Sequence, residues 1–234
     1  MDTTPSNQQK PSKLTDQVIL FDFDGTLCDS HDANIRCLQS VFSDNSLQTP
    51  SREALQALFS TGQSIKKSIE SLLQEQSCLA TTPVDLILSN YRARYLDYAL
   101  PYSKLYDGVE KTLSTLAQSH PLHIVSNHHE PTQGKLIDHF GLSPFIQSYM
   151  GQKTGVQLKP HPWFYDNKIK KIYPDLPTSK ILMVGDTRAD IDFAHVCGMS
   201  IAWVSYGYGS LPSDSRHNLN YIIDTPNQLI DTLL

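Results

Sequence analysis

The chain has few cysteines and no long apolar run. Its 234 residues include four cysteines, and no two of them form a CxxC pair. Neither a zinc cluster nor a disulfide framework is therefore expected, and the thiols are predicted to be reduced. No segment reaches the roughly 18 apolar residues of a membrane-spanning helix, and the first 17 residues are polar, unlike a signal peptide. These absences predict a soluble cytoplasmic protein, without a membrane partner, whose residues 1–16 form a flexible tail.

The chain also lacks a basic segment. It carries 24 acidic and 19 basic residues, which gives a net charge of −5, without a long run of lysine or arginine. A nucleic acid polymer is therefore not expected as a partner. The nine histidines show no zinc-site spacing either. The length allows one large α/β domain or a core domain with a smaller insertion, and both a monomer and a homodimer remain open.

Four short apolar runs alternate with patterns typical of helices. The runs are predicted to be buried strands: Val18–Phe21, Leu122–Val125, Ile181–Val184 and Ile201–Val204. The helical patterns lie near residues 109–118, 131–140, 162–173 and 190–197. This alternation predicts an α/β fold with a doubly wound parallel sheet. In such sheets ligands bind beyond the carboxyl ends of the strands.

Residues 31–105 break this alternation and are predicted to be an inserted helical domain. Four groups of apolar residues have the spacing of a helix face, beginning at Ile35, Leu55, Ile65 and Val84. The predicted core then comprises residues 17–30 and 106–234, and turn residues such as Pro101 and Tyr102 mark the return to it. The alternative is that the inserted helices are part of one core without separate mobility.

The most informative segment follows the first predicted strand. It reads Asp22, Phe23, Asp24, Gly25, Thr26. Residues i and i+2 of an extended chain project to the same side, so Asp22 and Asp24 can face one small volume while Phe23 packs away from it. Such a cluster suits a hard cation beside a phosphate. The alternative is an ordinary turn. A calcium loop is disfavoured because such loops have glycine at the sixth position, whereas Gly25 is at the fourth position counted from Asp22.

Polar residues also follow two later strands. Ser126 and Asn127 come directly after the second predicted strand, where they can donate hydrogen bonds to a phosphate. Asp186 and Asp190 follow the third strand and offer the oxygen ligands that magnesium prefers, although acids there can also cap a helix. Between them Lys159 can neutralise charge, although a single lysine is usually a solvated surface residue.

In this order, the four groups of residues resemble the four motifs of the haloacid dehalogenase superfamily. The resemblance covers roughly residues 17–225 and implies a Rossmann-like core with an α-helical cap. Further segments resemble the phosphoglycolate-phosphatase-like branch: Tyr91-Arg92, Pro101-Tyr102, Gly108-Val109, His139 to Leu142, Lys159 to Pro162 and Tyr206 to Gly209.

The resemblance implies a phosphatase that works through an aspartyl-phosphate. Asp22 would attack phosphorus, and Asp24 would protonate the leaving group and then activate water. Ser126 and Lys159 would hold the transferred phosphoryl group. The other expected phosphate contacts are Gly25, Thr26 and Asn127. The resemblance also implies Mg²⁺, with these expected ligands: the Asp22 carboxylate, the Asp24 carbonyl, Asp186 and, in support, Asp190.

The substrate implied by the branch is a small phosphorylated metabolite, with 2-phosphoglycolate as the leading candidate. The chain departs from the branch at His128, His129 and Glu130, where Lys-Pro is common. The two histidines are expected to be exposed loop residues without a function, and contact with the substrate is the alternative. In the cap, residues 61–64 and Lys66 are candidate specificity residues. A nucleotidase, a pyrophosphatase, a sugar-phosphate phosphatase, a β-phosphoglucomutase-like mutase and a non-catalytic binding protein remain alternatives. A dehalogenase is disfavoured because Asp24 is present.

Overall fold

The core of the protein is a six-stranded parallel sheet. The computed structural model describes residues 17–211 and 219–234, so the predicted tail over residues 1–16 lies outside the described residues. In chain order the strands of the sheet are β1 Val18–Phe21, β4 Leu122–His129, β5 Ser148–Gln152, β6 Ile181–Gly185, β7 Ser200–Val204 and β8 Tyr221–Ile223. The order of these strands across the sheet is β5-β4-β1-β6-β7-β8, and every neighbouring pair is parallel.

Helices cover both faces of the sheet. They are α5 Val109–Leu116, α6 Glu130–His139, α7 Lys170–Ile172 after a π-helical turn at Tyr165–Ile169, α8 Arg188–Cys197 and α9 Gln228–Leu233; a 3₁₀ turn spans Thr178–Lys180. Ile19 and Phe21 of β1 pack in the cluster that includes α5, α6 and α9. Val18 and Leu20 pack in the cluster that includes α8 and the π-helical turn before α7. Because both faces are covered, β1 is apolar at every position.

Four further helices separate β1 from α5. They are α1 His31–Asp44, α2 Arg52–Phe59, α3 Ile65–Glu75 and α4 Val84–Tyr102. Ser51 and Ser64 begin α2 and α3, where each side chain accepts a hydrogen bond from a main-chain N–H of the first turn. A short antiparallel ribbon, β2 Cys28–Asp29 with β3 Lys104–Leu105, joins the beginning and end of this helical segment.

The helical segment shares its buried core with one face of the sheet. Ile35, Leu38 and Phe42 of α1 are fully buried, as their spacing predicts, in the same cluster as Ile19 and Phe21. Contiguous packing is compatible both with a cap and with the alternative of a single core. The division at residues 31 and 105 therefore stays a prediction.

The predicted fold class is confirmed, with differences at element ends. β1 has the predicted bounds, and β4 continues four residues past its predicted end to His129. The interpretation of Pro101 and Tyr102 as turn residues is wrong, since both lie in the last turn of α4. A proline is tolerated there because only one main-chain N–H is lost and the helix ends at the next residue. No helix among residues 17–211 and 219–234 has the length and apolarity needed to cross a membrane.

Candidate active site

The carboxyl end of β1 places Asp22 in the interior of the protein. The Asp22 N–H donates to the Val184 carbonyl (2.8 Å) and so continues the sheet hydrogen bonds for one residue beyond the strand. The Asp22 carboxylate accepts the Phe23 N–H (2.7 Å), and the Phe23 side chain is fully buried. Asp22 and Asp24 both line one cavity. The two carboxylates therefore face one volume, as predicted, although the chain bends at Phe23 instead of continuing as a strand.

Gly25 allows the chain to turn against Asp186. Its φ is +80°, and a Cβ at this position would lie 2.3 Å from Asp186 Oδ2. The next residue, Thr26, donates its hydroxyl to Asp186 Oδ1 (3.0 Å). Phosphate contacts by Gly25 and Thr26 stay predictions. In this structure both residues pack against the Asp186 carboxylate and position it.

The loop after β7 supplies the remaining donors to Asp186. The main-chain N–H groups of Tyr208 and Gly209 donate to Asp186 Oδ2 (2.8 and 3.3 Å). Asp186 itself is completely buried. Burial, followed by the neighbouring Asp190 and Asp22 carboxylates, holds the pKa of Asp186 well above its usual range. Several hydrogen bonds thus fix a carboxylate in surroundings that disfavour negative charge unless a cation is present.

Lys159 lies between two carboxylates. Its Nζ is 3.1 Å from Asp22 Oδ1 and 2.5 Å from Asp190 Oδ1, and its side chain is 1 % exposed. Burial lowers the pKa of this ammonium, but Asp190 and Asp22 outweigh burial and raise it. The alternative of a solvated surface lysine is therefore excluded by the structure. Lys159 is a charged component of the site.

Asp190 has a second function at the beginning of α8. Its Oδ2 accepts the N–H and the hydroxyl of Thr187 (3.0 and 2.7 Å), which forms a capping box. Asp190 therefore caps the helix and also contacts Lys159, so its geometry agrees with both interpretations. Asp190 anchors Lys159 and the first turn of α8 at the same time.

Asn127 and Ser126 lie at the end of β4 beside these charges. The Asn127 side chain accepts the Lys159 N–H (2.9 Å) and donates to the Lys159 carbonyl (3.1 Å). The Ser126 hydroxyl accepts the His128 N–H (3.3 Å), and Ser126 is among the neighbours that lower the pKa of Asp22. The Asn127 amide therefore orients Lys159, and its predicted phosphate contact stays a prediction, as does that of Ser126.

Asp24 is held by two side chains, Ser30 and His128, whose contacts with it are not indicated by any motif in the sequence. Ser30 donates to one carboxylate oxygen (2.5 Å) and His128 Nδ1 binds the other (2.7 Å). Ser30 is in turn bonded to Asn34, which accepts the hydroxyl of Tyr91. Burial raises the pKa of Asp24, but the contributions of His128, Ser30 and Lys159 together lower it below its usual value. The Asp24 carboxylate is thus fixed in orientation.

The interpretation of His128 and His129 as exposed loop residues is wrong. Both belong to β4, and the His128 side chain is only 8 % exposed. The His129 ring bonds to Thr132 (2.9 Å), and burial lowers the pKa of His129 to about 4, with smaller contributions from Arg92 and His128. Because the strand is longer than its apolar part, the hydrophobic pattern does not indicate that these residues are part of the sheet.

Three carboxylates form a group that fits a hard divalent cation. Each of Asp22, Asp186 and Asp190 offers an oxygen within 4.8 Å of the others, and no other group of three such ligands occurs in the described part of the chain. Burial, opposed by Lys159 and reinforced by Asp190, raises the pKa of Asp22 to about 6. Lys159 alone does not balance this negative charge. The donor set contains only oxygen atoms and so suits Mg²⁺.

A cavity of about 100 Å³ lies between these residues and the helical segment. Residues from α2 to α4 and from the loop after α2 form its outer wall: Phe59, Gly62, Gln63, Ser64, Ile65, Leu88, Tyr91, Arg92 and Tyr95. Of the predicted specificity residues, Gly62, Gln63 and Ser64 line the cavity. Thr61 lines a neighbouring open groove, and Lys66 instead binds Asp85 at the surface (2.8 Å).

The amino-acid sequence matches a family model described as haloacid dehalogenase-like hydrolase over residues 19–204. The chain belongs to this family. A phosphoglycolate phosphatase from Aquifex aeolicus is 28 % identical over 215 residues, which cover 92 % of this chain and 95 % of that protein. A phosphoglycolate phosphatase from Pseudomonas syringae pv. tomato is 26 % identical over 222 residues, covering 92 % of this chain and 78 % of that protein.

A solved structure has the same fold. It is a predicted phosphoglycolate phosphatase from Haemophilus somnus, with a TM-score of 0.81 and 24 % identity over 94 % of this chain and 99 % of that one. The sequence-based predictions of the superfamily, of the α/β fold and of a phosphatase are therefore confirmed. This haloacid dehalogenase-like hydrolase presents two carboxylates and a lysine to one cavity, and the buried carboxylates of Asp186 and Asp190 lie close to that of Asp22.

Proposed function

We propose that this hydrolase is a magnesium-dependent phosphatase of a small phosphorylated metabolite, and that 2-phosphoglycolate is its substrate. One observation carries the reaction class: Asp22 and Asp24 face the same cavity beside Lys159. Asp22 also forms a group of three buried carboxylates with Asp186 and Asp190. This arrangement supports phosphoryl transfer because a nucleophile, a proton-transfer group and charge neutralisation lie together.

Asp22 is proposed as the nucleophile. Its carboxylate attacks phosphorus, the bond to the leaving oxygen breaks, and an aspartyl-phosphate forms. Lys159, which contacts Asp22, and Ser126, which lines the same cavity, are proposed to bind oxygens of the transferred phosphoryl group. Bound Mg²⁺, held by Asp22, the Asp24 carbonyl and Asp186 with Asp190 in support, would neutralise phosphate charge and lower the pKa of Asp22.

Asp24 is proposed as the acid and base of the two half-reactions. It gives a proton to the leaving alkoxide and later takes one from the water that hydrolyses the aspartyl-phosphate. Proton transfer requires a fixed direction, and Ser30 and His128 hold the two oxygens of Asp24. The low pKa of Asp24 before substrate binds favours its ionised form, so binding of the negatively charged phosphate must promote its protonation.

Helices α1–α4 are proposed to act as a cap that contacts the leaving group. Most of the cavity's outer wall comes from α2–α4 and the loop between α2 and α3. The choice of 2-phosphoglycolate is supported by the two relatives named above, both phosphoglycolate phosphatases that align with nearly all of this chain. A nucleotidase, a pyrophosphatase and a sugar-phosphate phosphatase are alternatives that the following experiment separates.

The test is phosphate release from a panel containing 2-phosphoglycolate, nucleoside monophosphates, pyrophosphate and hexose phosphates, each with and without Mg²⁺. Asp22→Asn is the blank, and Asp192→Asn, a change of a partly exposed acid that pairs with Arg188, is the matched control. The highest kcat/KM with 2-phosphoglycolate supports the proposal. A higher kcat/KM with another ester would reject the substrate, and no Mg²⁺-dependent release by the folded protein would reject the activity.

A further inference from the structure

Arg92 is a cationic residue on the cap side of the cavity. It lies on α4, is partly buried and lines the same cavity as Asp22 and Lys159. Its guanidinium donates to the side-chain oxygen of Gln152 at the end of β5 (2.6 Å). Gln152 is a neutral partner. It orients the guanidinium without neutralising it.

The other described arginines each have an acidic partner. The pairs are Arg36–Asp32, Arg52–Asp32, Arg94–Asp44 and Arg188–Asp192. Within residues 17–211 and 219–234, no carboxylate lies within ion-pair distance of Arg92. Asp85, an acidic residue of the same helix, binds Lys66 instead. Arg92 thus differs from the other described arginines in having no ion-pair partner while facing a cavity.

Lys159 and Arg92 line the same cavity but differ in how their charges are balanced. Lys159 contacts both Asp22 and Asp190, so it belongs to the carboxylates where the phosphoryl group is proposed to react. Arg92 lines the cavity from α4, together with the largely apolar side chains of Leu88, Tyr91 and Tyr95. A partly buried guanidinium with several free N–H donors is suited to bind a carboxylate or phosphate through two hydrogen bonds.

We infer that Arg92 binds a second anionic group of the substrate, a carboxylate on the leaving-group side. The preferred substrates are then phosphate monoesters whose leaving group carries a carboxylate a short distance from the ester oxygen. This inference rests on the proposed function and assigns substrate selection to one residue of α4. It also accounts for Gln152, which holds the guanidinium at the cavity wall.

The test compares two esters that differ by the carboxylate, 2-phosphoglycolate and ethyl phosphate. We expect Arg92→Gln to lower kcat/KM for 2-phosphoglycolate by about 10- to 100-fold, mainly through KM, because a hydrogen-bonded charge pair is lost. For ethyl phosphate the change should stay below about threefold. Arg94→Gln is the matched control, since Arg94 lies two residues away on α4 and pairs with Asp44. Arg92→Lys should give an intermediate loss.

Several outcomes would overturn the inference. Equal losses for both esters would make Arg92 a structural residue, and a wild-type enzyme that does not prefer 2-phosphoglycolate over ethyl phosphate would remove the need for an anion site. Preference for 1,2-ethanediol bisphosphate over 2-phosphoglycolate would assign Arg92 to a phosphate. If no ester is hydrolysed at all, the proposed function fails instead.

Calorimetry tests Arg92 independently of turnover. In the Asp22→Asn background, 2-phosphoglycolate should bind at least about tenfold more weakly when Arg92→Gln is added. Unchanged affinity would overturn the inference whether or not the enzyme is active. Thermal unfolding of each variant establishes that the protein compared is folded.

Discussion

Removing the His128 hydrogen bond should slow catalysis without weakening substrate binding. His128 Nδ1 lies 2.7 Å from Asp24 Oδ2, and the ring packs 5.3 Å from that of Tyr95 and 6.2 Å from that of Phe23. His128→Phe keeps an aromatic ring in this packing and deletes the donor. His128→Asn places an amide nitrogen near the position of Nδ1 and so restores the donor. The two variants separate the hydrogen bond from the packing.

The expected decrease in kcat follows from the energy of the lost hydrogen bond and from the second donor, Ser30, that Asp24 keeps. A hydrogen bond to a charged group contributes about 1.5–3 kcal/mol, and each 1.36 kcal/mol in the barrier is a factor of ten in rate. His128→Phe should therefore lower kcat by about 10- to 150-fold. Because Ser30 still holds the other oxygen, we expect the lower part of this range. His128→Asn should recover most of the lost rate.

Steady-state kinetics with an alkyl and an aryl ester provide the assay. For 2-phosphoglycolate, kcat should fall while KM changes by less than about threefold, since the lost contact positions a proton-transfer group. With p-nitrophenyl phosphate, whose leaving group needs no proton, the burst of p-nitrophenolate should be preserved while steady-state turnover slows. His139→Asn, at an exposed position of α6, is the control.

Two results would refute this reasoning. If His128→Phe has the wild-type kcat, the hydrogen bond to Asp24 contributes nothing to catalysis. If His128→Asn is as slow as His128→Phe although both variants unfold at the wild-type temperature, the ring itself is required rather than its donor. In either case positioning of Asp24 by His128 would have to be abandoned.

Three further predictions concern the nucleophile, the cation and a buried histidine. Asp22→Asn should lower kcat by more than about a thousandfold while circular dichroism stays unchanged; appreciable phosphate release would contradict covalent catalysis. A chelator should abolish phosphate release and added Mg²⁺ should restore it, whereas unchanged rates in chelator would contradict the metal site. Burial lowers the pKa of His123 to about 4, so the unfolded chain, with an ordinary histidine pKa of about 6.5, binds the proton first as the pH falls. The stability from neutral His123 is therefore complete above about pH 6.5 and is lost progressively down to about pH 4. Between pH 7 and pH 4.5, urea unfolding should show that the wild type loses about 2–3 kcal/mol more than His123→Gln, because the loss from His129, whose pKa burial also lowers to about 4, is common to both proteins; equal losses in both proteins would refute the prediction.

The central strands were predictable from the sequence because they are buried on both faces. β1 consists of four consecutive apolar residues, and both neighbours in the sheet cover them completely. β5 and β8 were missed because they are edge strands. Ser148 to Gln152 contains two residues that are fully or nearly buried, and Tyr221 and Ile222 of β8 are exposed. A partly solvated edge has no continuous apolar run to reveal it.

The carboxylates were predictable for a different reason. Asp22 and Asp24 are close in sequence, and Asp186 follows the neighbouring strand β6, so local geometry and strand order bring them together. The partners of Asp24 and Arg92 are not local in this way. His128 is 104 residues from Asp24, and Gln152 is 60 residues from Arg92. Their contacts depend on how β4, β5 and α4 pack, and the spacing of residues in the sequence does not predict that packing.

We expect the residues at the strand ends and the residues of α4 to affect different kinetic parameters, which variants can test. Under the proposed function, residues at the strand ends set the reaction, because every phosphate monoester would present the same group to Asp22, Asp24 and Lys159. Residues contributed by α4 would meet the leaving group, which differs between esters. Changes at His128 should therefore lower kcat for all alkyl esters alike, whereas changes at Arg92 should alter the ratio of kcat/KM between esters with and without a carboxylate. If changes at both positions altered the same kinetic parameter equally, the cap helices would not select the substrate separately from the chemistry.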